Sequence, residues 1–296
     1  MSTHRTKTAG RGSTASDSRS RRRTQATRVI AWFMASSALL FGAFTAVFGV
    51  VAEGQLIHAF HNAIVASLLL VLSAPPALVI ARNPDRSDSP LKILTALSGA
   101  AVITMAAAVT VDPFTLPFVV FTGVLWVLRP PQLPRANDGQ PSLLLFGLVA
   151  IAVVPLVAYA LGQAELQRTL AENEHSRFFH WVETSFYAAG ILALGLLGAF
   201  RPFAYRMAAW SAGIGVIVLG GASLILSSYA SAVPLPWPWL AIAGGIAFVA
   251  VAEWEVTRQR NLDLKESGGT RRHRSEGATT SVAALSPSGP DLDSDL

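Results

Sequence analysis

Eight long apolar runs dominate the chain, at 29–52, 63–81, 92–111, 114–128, 142–162, 183–200, 203–227 and 237–256. A helix needs roughly 20 apolar residues to cross a hydrocarbon core about 30 Å thick. Backbone N–H and C=O groups find no water there, so each run must satisfy its own hydrogen bonds as a helix. The predicted fold class is therefore an all-α, polytopic integral membrane protein with eight transmembrane helices. Composition agrees. Charged residues make up 14% of the chain, against about 25% in a soluble domain. The fourth run is the shortest, and Pro113 and Pro117 crowd its start. Pro75–Pro76 in the second run and Pro155 in the fifth predict kinks.

The basic residues orient this map. With eight spans both tails lie on one side. All but two of the 23 Lys and Arg residues then share that side: the N-terminal tail, the C-terminal tail, and the connections holding Arg82, Arg86, Lys92, Arg129, Arg135, Arg201 and Arg206. Only Arg168 and Arg177 fall opposite. The positive-inside rule places the basic side in the cytoplasm. The expectation is a multi-pass cell-membrane protein with cytoplasmic N- and C-termini. The lipid bilayer is its first partner, with membrane-protein partners or a homo-oligomer beyond it. A net charge of +5 follows from this topology and needs no nucleic acid, since no folded module or aromatic platform accompanies the Arg run. That run could also meet anionic headgroups at the inner leaflet. "FGVVAEG" at the end of the first run has the small-residue pattern of a cleavage site. The length of the run and its place in the repeat described next favour a retained span.

The chain reads as two copies of one unit. Ala52, Glu53, Phe60 and His61 recur 119 positions later as Ala171, Glu172, Phe179 and His180. The same offset takes Arg82 to Arg201 and Leu116–Pro117 to Leu235–Pro236. Four spans per unit is an even number, so both units enter from the same side. Two tandem four-helix units related by a pseudo-two-fold axis along the membrane normal are expected. The domain map is a disordered basic tail (1–28), a first membrane unit (29–128), a cytoplasmic linker (129–141), a second membrane unit (142–256) and a disordered tail (257–296). Gly and Ala abound in the spans, where small residues let helix backbones approach.

Polar chemistry gathers at the outer ends of the helices. All four histidines outside the tails lie there, His58, His61, His175 and His180, together with Glu53, Glu172, Glu174 and Glu183. On helices, His58 and His61 share a face at i, i+3, and so do His180 and Glu183. Imidazole and carboxylate at that spacing can ligate a metal ion, as in di-iron bundles. The candidate metal residues are Glu53, His58, His61, Glu172, His175, His180 and Glu183. There is no Cys, so a nitrogen and oxygen donor set would suit Zn, Fe, Mn or Cu(II). Proton handling or substrate binding is a second reading of the same residues. A solvated loop, with Glu172 and Arg168 as a plain i, i+4 pair, is a third. Asp112 beside Pro113 reads as a cap or turn residue.

The placement of Glu53/His61 and Glu172/His180 is similar to that in haem A synthases, which are also built from two four-helix membrane units. That family carries a further His on the last helix of each unit. The runs 114–128 and 237–256 contain none. The likeness therefore implies architecture and carries no residue role across.

No His, acid or base lies near the middle of any span. A transmembrane bis-His haem is disfavoured on that ground, and so is an ion-coupled small-solute transporter. A binding or scaffold-like membrane protein with an outer metal or small-ligand site is the leading expectation, and a membrane enzyme using the same cluster is the alternative. Topology is open to a direct check because the chain has no thiol of its own. An impermeant maleimide applied to intact cells should label Thr169→Cys and spare Asn137→Cys until the membrane is opened. The opposite pattern would overturn the orientation.

Overall fold

A computed structural model describes residues 12–52, 58–130, 140–170, 172–201 and 204–283. Helices account for all the regular structure among them, with no strand. In chain order they are α1 (Gly12–Phe44), α2 (Ala59–Ser67), α3 (Ala74–Arg82), α4 (Asp88–Ala107), α5 (Leu116–Leu128), α6 (Leu143–Thr169), α7 (Glu174–Arg177), α8 (His180–Phe200), α9 (Arg206–Ile225) and α10 (Trp237–Ala283). Among the described residues, seven helical segments are long and apolar enough to cross a bilayer: Ser18–Val47, Ala59–Arg82, Asp88–Ala107, Leu143–Thr169, His180–Phe200, Arg206–Ile225 and Trp237–Leu262. This is a multi-pass membrane protein. The fourth apolar run forms α5, only 13 residues long. At 1.5 Å per residue it covers about 20 Å, short of a full hydrocarbon core. Its start is set by the turn at Asp112–Thr115, where Asp112 accepts hydrogen bonds from the Phe114 N–H and the Thr115 hydroxyl.

The tails continue as helix where disorder is expected from composition. Helix α1 already begins at Gly12, and α10 runs on to Ala283. A membrane span supplies the costly nucleus, and each flanking residue then adds one hydrogen bond at small expense.

Two rings of four helices stand side by side. In the first, α1 packs on α3 and α5, and α4 packs on α3 and α5. Its core holds Ala31, Ala35, Ala77, Ile80, Leu91, Leu94 and Leu125. In the second, α6 packs on α8 and α10, and α9 packs on α8 and α10. The α9–α10 crossing is close because Gly213 and Gly245 face each other there. A Cβ on Gly213 would stand 2.9 Å from the Gly245 carbonyl oxygen, and one on Gly245 would stand 2.5 Å from that of Gly213. The seam between the rings is made by α2 and α4 against α8, and by α2 and the segment after it against α9. The central core crosses this seam, with Phe60, Ile64, Leu72 and Leu97 meeting Phe186, Tyr187, Ile191 and Leu194.

The seam is also polar at chosen points. The expected kink at Pro75–Pro76 takes the form of a π-helical stretch, Leu68–Ser73, between α2 and α3. The Val71 carbonyl would accept from residue 75 in an α-helix or from residue 76 in a π-helix. Both are proline and neither has an N–H. Ser211 on α9 donates to that carbonyl at 2.8 Å, from the other half of the chain. One turn further along α9, the Gly215 carbonyl accepts from the Tyr187 hydroxyl at 2.9 Å. Tyr187 has a single proton to give, so Ser67, 2.7 Å away, donates to it. Ser211→Ala should strand the Val71 carbonyl and cost about 0.6–1.7 kcal/mol, and Ser211→Thr should restore most of it. Thermal unfolding in detergent reads the difference; equal melting temperatures for wild type and Ser211→Ala would show that the carbonyl needs no partner.

Candidate functional site

Four imidazoles from the two halves converge at one end of the seam. His58 precedes α2 and His61 lies in its first turn. His175 lies on the short helix α7, capped by the Asn173 side chain, and His180 opens α8. Between α7 and α8 the chain turns through Phe179 at φ 61°, a left-handed conformation that L-residues other than Asn and Asp seldom adopt. That turn brings His175 and His180 to the same side as α2. Ring centres are 4.9 Å apart for His58 and His175, 5.0 Å for His58 and His180, 5.0 Å for His61 and His175, 5.0 Å for His61 and His180, and 5.8 Å for His175 and His180. His61 and His180, 119 positions apart in the chain, stack with their planes 16° apart. His61 is the deepest, at 1% exposure. Trp181 walls the group, stacked on His175 and edge-on to His61.

Hydrogen bonds at the periphery orient three of the rings, and the network assigns the tautomers of His61 and His175. The Thr184 hydroxyl donates to the His180 carbonyl at 2.8 Å, so towards His61 Nδ1, 3.0 Å away, it can only accept. Asn173 Oδ1 accepts from the His175 backbone N–H at 2.9 Å, which identifies it as oxygen, and it lies 3.1 Å from His175 Nδ1. Glu183 Oε2 lies 3.3 Å from His180 Nδ1. At His61 and His175 the proton therefore sits on Nδ1, facing its acceptor. Protein-bound metals favour this arrangement, in which the distal nitrogen ligates and the proximal one is held by an acceptor.

The surroundings hold unanswered polar groups. His58 Nδ1, Gln167 Oε1, Ser176 Oγ and Trp181 Nε1 are buried with no hydrogen-bond partner. They belong to the same neighbourhood, since Gln167 Nε2 donates to the Ser176 carbonyl at 2.9 Å and Trp181 touches His175. Buried polar atoms of this kind ordinarily have partners, so their concentration here is unusual. Asp112 stands nearby, fully buried, and interacts electrostatically with His180. Burial pushes its carboxyl above the usual carboxylate range, and its bonds to Thr115 and Phe114 pull the other way.

The seven sequence candidates divide sharply. His58, His61, His175 and His180 come together, with Glu183 buried beside His180. Glu172 does not join them. Its side chain is 97% exposed and lies 3.6 Å from Arg177. The pair suggested between Glu172 and Arg168 is replaced, because Arg168 bonds Glu165 instead, one turn below on its own helix. Glu174 is exposed at the start of α7. Glu53 lies outside the described residues. Among the described residues, no three His, Asp or Glu side chains are arranged to hold a metal ion as they stand; the rings pack on one another.

Thr184 is no ligand by residue type; its hydroxyl donates to the His180 carbonyl and accepts from His61. It is nevertheless the group that fixes the buried imidazole. Thr184→Val keeps the shape and removes the acceptor, and should cost about 1–3 kcal/mol, with Thr184→Ser recovering it. Two-dimensional NMR of selectively labelled imidazoles should show one fixed His61 tautomer in wild type and tautomer exchange in Thr184→Val. A fixed tautomer in both would rule out this role. No family model matches the chain, and neither does any curated protein or solved structure.

Proposed function

We propose that this is an eight-span cell-membrane protein, built from two tandem four-helix units with both tails cytoplasmic, that binds a transition-metal ion at the outer end of the seam between the units. Three helices of the second half begin within two residues of the position that the offset of 119 assigns them: α8 at 180 against α2 at 59, α9 at 206 against α4 at 88, α10 at 237 against α5 at 116. The helix pairings of the two rings correspond as well, and the α4–α8 contact is mirrored by that of the second span with α9. These correspondences support the repeat and the two-fold axis. On this reading α5 is the shortened fourth span.

The observation that carries the metal reading is the imidazole quartet. A metal-bound imidazole has its ring centre about 3.2 Å from the ion, so tetrahedral ligands hold their ring centres about 5 Å apart. Five of the six pairs among the four histidines lie at 4.9–5.8 Å. Bringing the Nε2 atoms onto one point needs ring rotation about χ2, a broad and soft torsion. The Nδ1 acceptors Thr184 and Asn173 already favour the required tautomer at His61 and His175. A sulfur-free set of imidazoles narrows the candidates from Zn, Fe, Mn and Cu towards Zn and Cu(II). His58 and His61 come from one unit, His175 and His180 from the other. A bound ion would therefore tie the two units together.

Metal analysis by mass spectrometry on detergent-purified protein, prepared without chelator, tests this. Wild type should carry close to one equivalent of metal, and the His61→Ala/His180→Ala variant should carry none. Folded wild type that is metal-free and takes up neither added Zn nor added Cu would sink the proposal.

A further inference from the structure

The other end of the bundle offers a second, unrelated site. We propose that a cleft beside the N-terminal part of α1 binds the phosphodiester headgroup of an anionic phospholipid. The cleft has a volume of about 600 Å³ and is lined by Ser20, Arg21, Thr24, Arg28, Trp32 and Asp85, among others. It stands apart from the imidazole quartet and does not rest on the metal reading.

Three observations converge on a lipid. The first is the direction in which the cleft faces. Helix α1 turns Thr27, Ala31, Met34 and Ala35 into the protein, all buried. Thr27 is pinned there by its bond to the Leu128 carbonyl at 3.1 Å. Arg21, Arg28 and Trp32 follow one another at seven and four residues, so they lie along a single stripe on a different face. That stripe is exposed, with Trp32 at 42% and its neighbour Val29 at 62%.

The second is the order of chemistry along this stripe. Trp32 and Val29 begin the apolar span, and Arg28 sits one turn, or about 6 Å, beyond Trp32. The headgroup layer of a bilayer is of similar depth, about 5–7 Å on each side. An indole at the interface with a guanidinium one turn above it matches acyl chain and phosphate in the order a phospholipid presents them. The seven-residue step from Arg28 to Arg21 places a second guanidinium two turns further out, and Arg side chains reach several ångströms along a surface. Ser20 and Thr24 add hydroxyl donors. A guanidinium pair with hydroxyls is a phosphate-binding set.

The third is Asp85, on the short turn Pro84–Arg86 that forms the other wall. A carboxylate there repels a free phosphate dianion. It accepts well from a hydroxyl carried by the headgroup. The combination favours a singly charged phosphodiester with a hydroxyl-bearing substituent, as in phosphatidylglycerol, over inorganic phosphate.

Native mass spectrometry of the full chain in detergent separates these outcomes. The test uses added phosphatidylglycerol, phosphatidylcholine and inorganic phosphate in turn. Arg21→Gln/Arg28→Gln removes the cleft cations. Arg22→Gln/Arg23→Gln removes the same charge from residues that do not line it. Phosphatidylglycerol retention should fall about tenfold or more in the first variant and change little in the second. Phosphatidylcholine should not be retained. Equal losses in the two variants would reduce the effect to general charge and overturn the site. So would equal retention of phosphatidylcholine, or displacement of the lipid by an equal concentration of inorganic phosphate.

Discussion

Every backbone carbonyl inside a bilayer must find a donor, and this requirement organises the junction between the two helix rings. Pro75 and Pro76 remove both N–H groups that could serve Val71. A soluble helix would hand such a carbonyl to water. Here Ser211 reaches across from α9 to supply the bond. The Tyr187 hydroxyl then ties α8 to the Gly215 carbonyl on α9 and accepts from Ser67 on α2. Hydrogen bonds of this type average only about 0.6 kcal/mol each in membrane helices. Their larger effect is on register. With three side chains committed at known levels, the second span, α8 and α9 cannot slide past one another without breaking several bonds together.

That register places the imidazole end of the bundle. Six residues before Ser67 comes His61, and three before Tyr187 comes Thr184, and these two are hydrogen-bonded at 3.0 Å. One helix turn above Thr184, its hydroxyl donates to the His180 carbonyl. The imidazole stack is thus the uppermost rung of the ladder that begins at the proline pair. The turn through Phe179 and the Asn173 cap then fold α7 over the top and deliver His175. A fixed seam below and a strained turn above give two pairs of histidines from distant parts of the chain a shared position. Ligand-binding groups need support of this kind to hold their geometry.

The bundle's two ends differ in what charge does. At the basic end, cations remain at the surface, paired or open to headgroups. Arg206 holds Glu253 with two hydrogen bonds of 2.6 and 2.8 Å, and Trp210 shares the same carboxylate. Such exposed pairs contribute little to stability and mostly set where helices meet the interface. At the imidazole end, Asp112 and Glu183 are drawn inside, at 0% and 9% exposure. Buried carboxyls are costly unless something nearby answers them; the Thr115 hydroxyl and Phe114 N–H bond Asp112, and His180 lies beside Glu183.

Much of this was legible in the residues. Apolar length dictated helices, because no other structure survives in lipid without water. His58, His61, His175 and His180 stood out as imidazoles beside apolar runs, and they meet in the fold. The division among the acids was not legible. Glu172, Glu174 and Glu183 all lie within twelve residues, yet only Glu183 faces the imidazoles, since helical phase and the Phe179 turn decide direction. Thr184 and Ser211 carried no signal, because a lone hydroxyl in an apolar helix gains meaning only from the group opposite. The sequence by itself determined the apolar, helical character of the segments, which depends on local hydropathy and on backbone self-satisfaction. Only the tertiary structure decided which polar side chains meet, because contacts between residues more than a hundred positions apart depend on the register of packed helices.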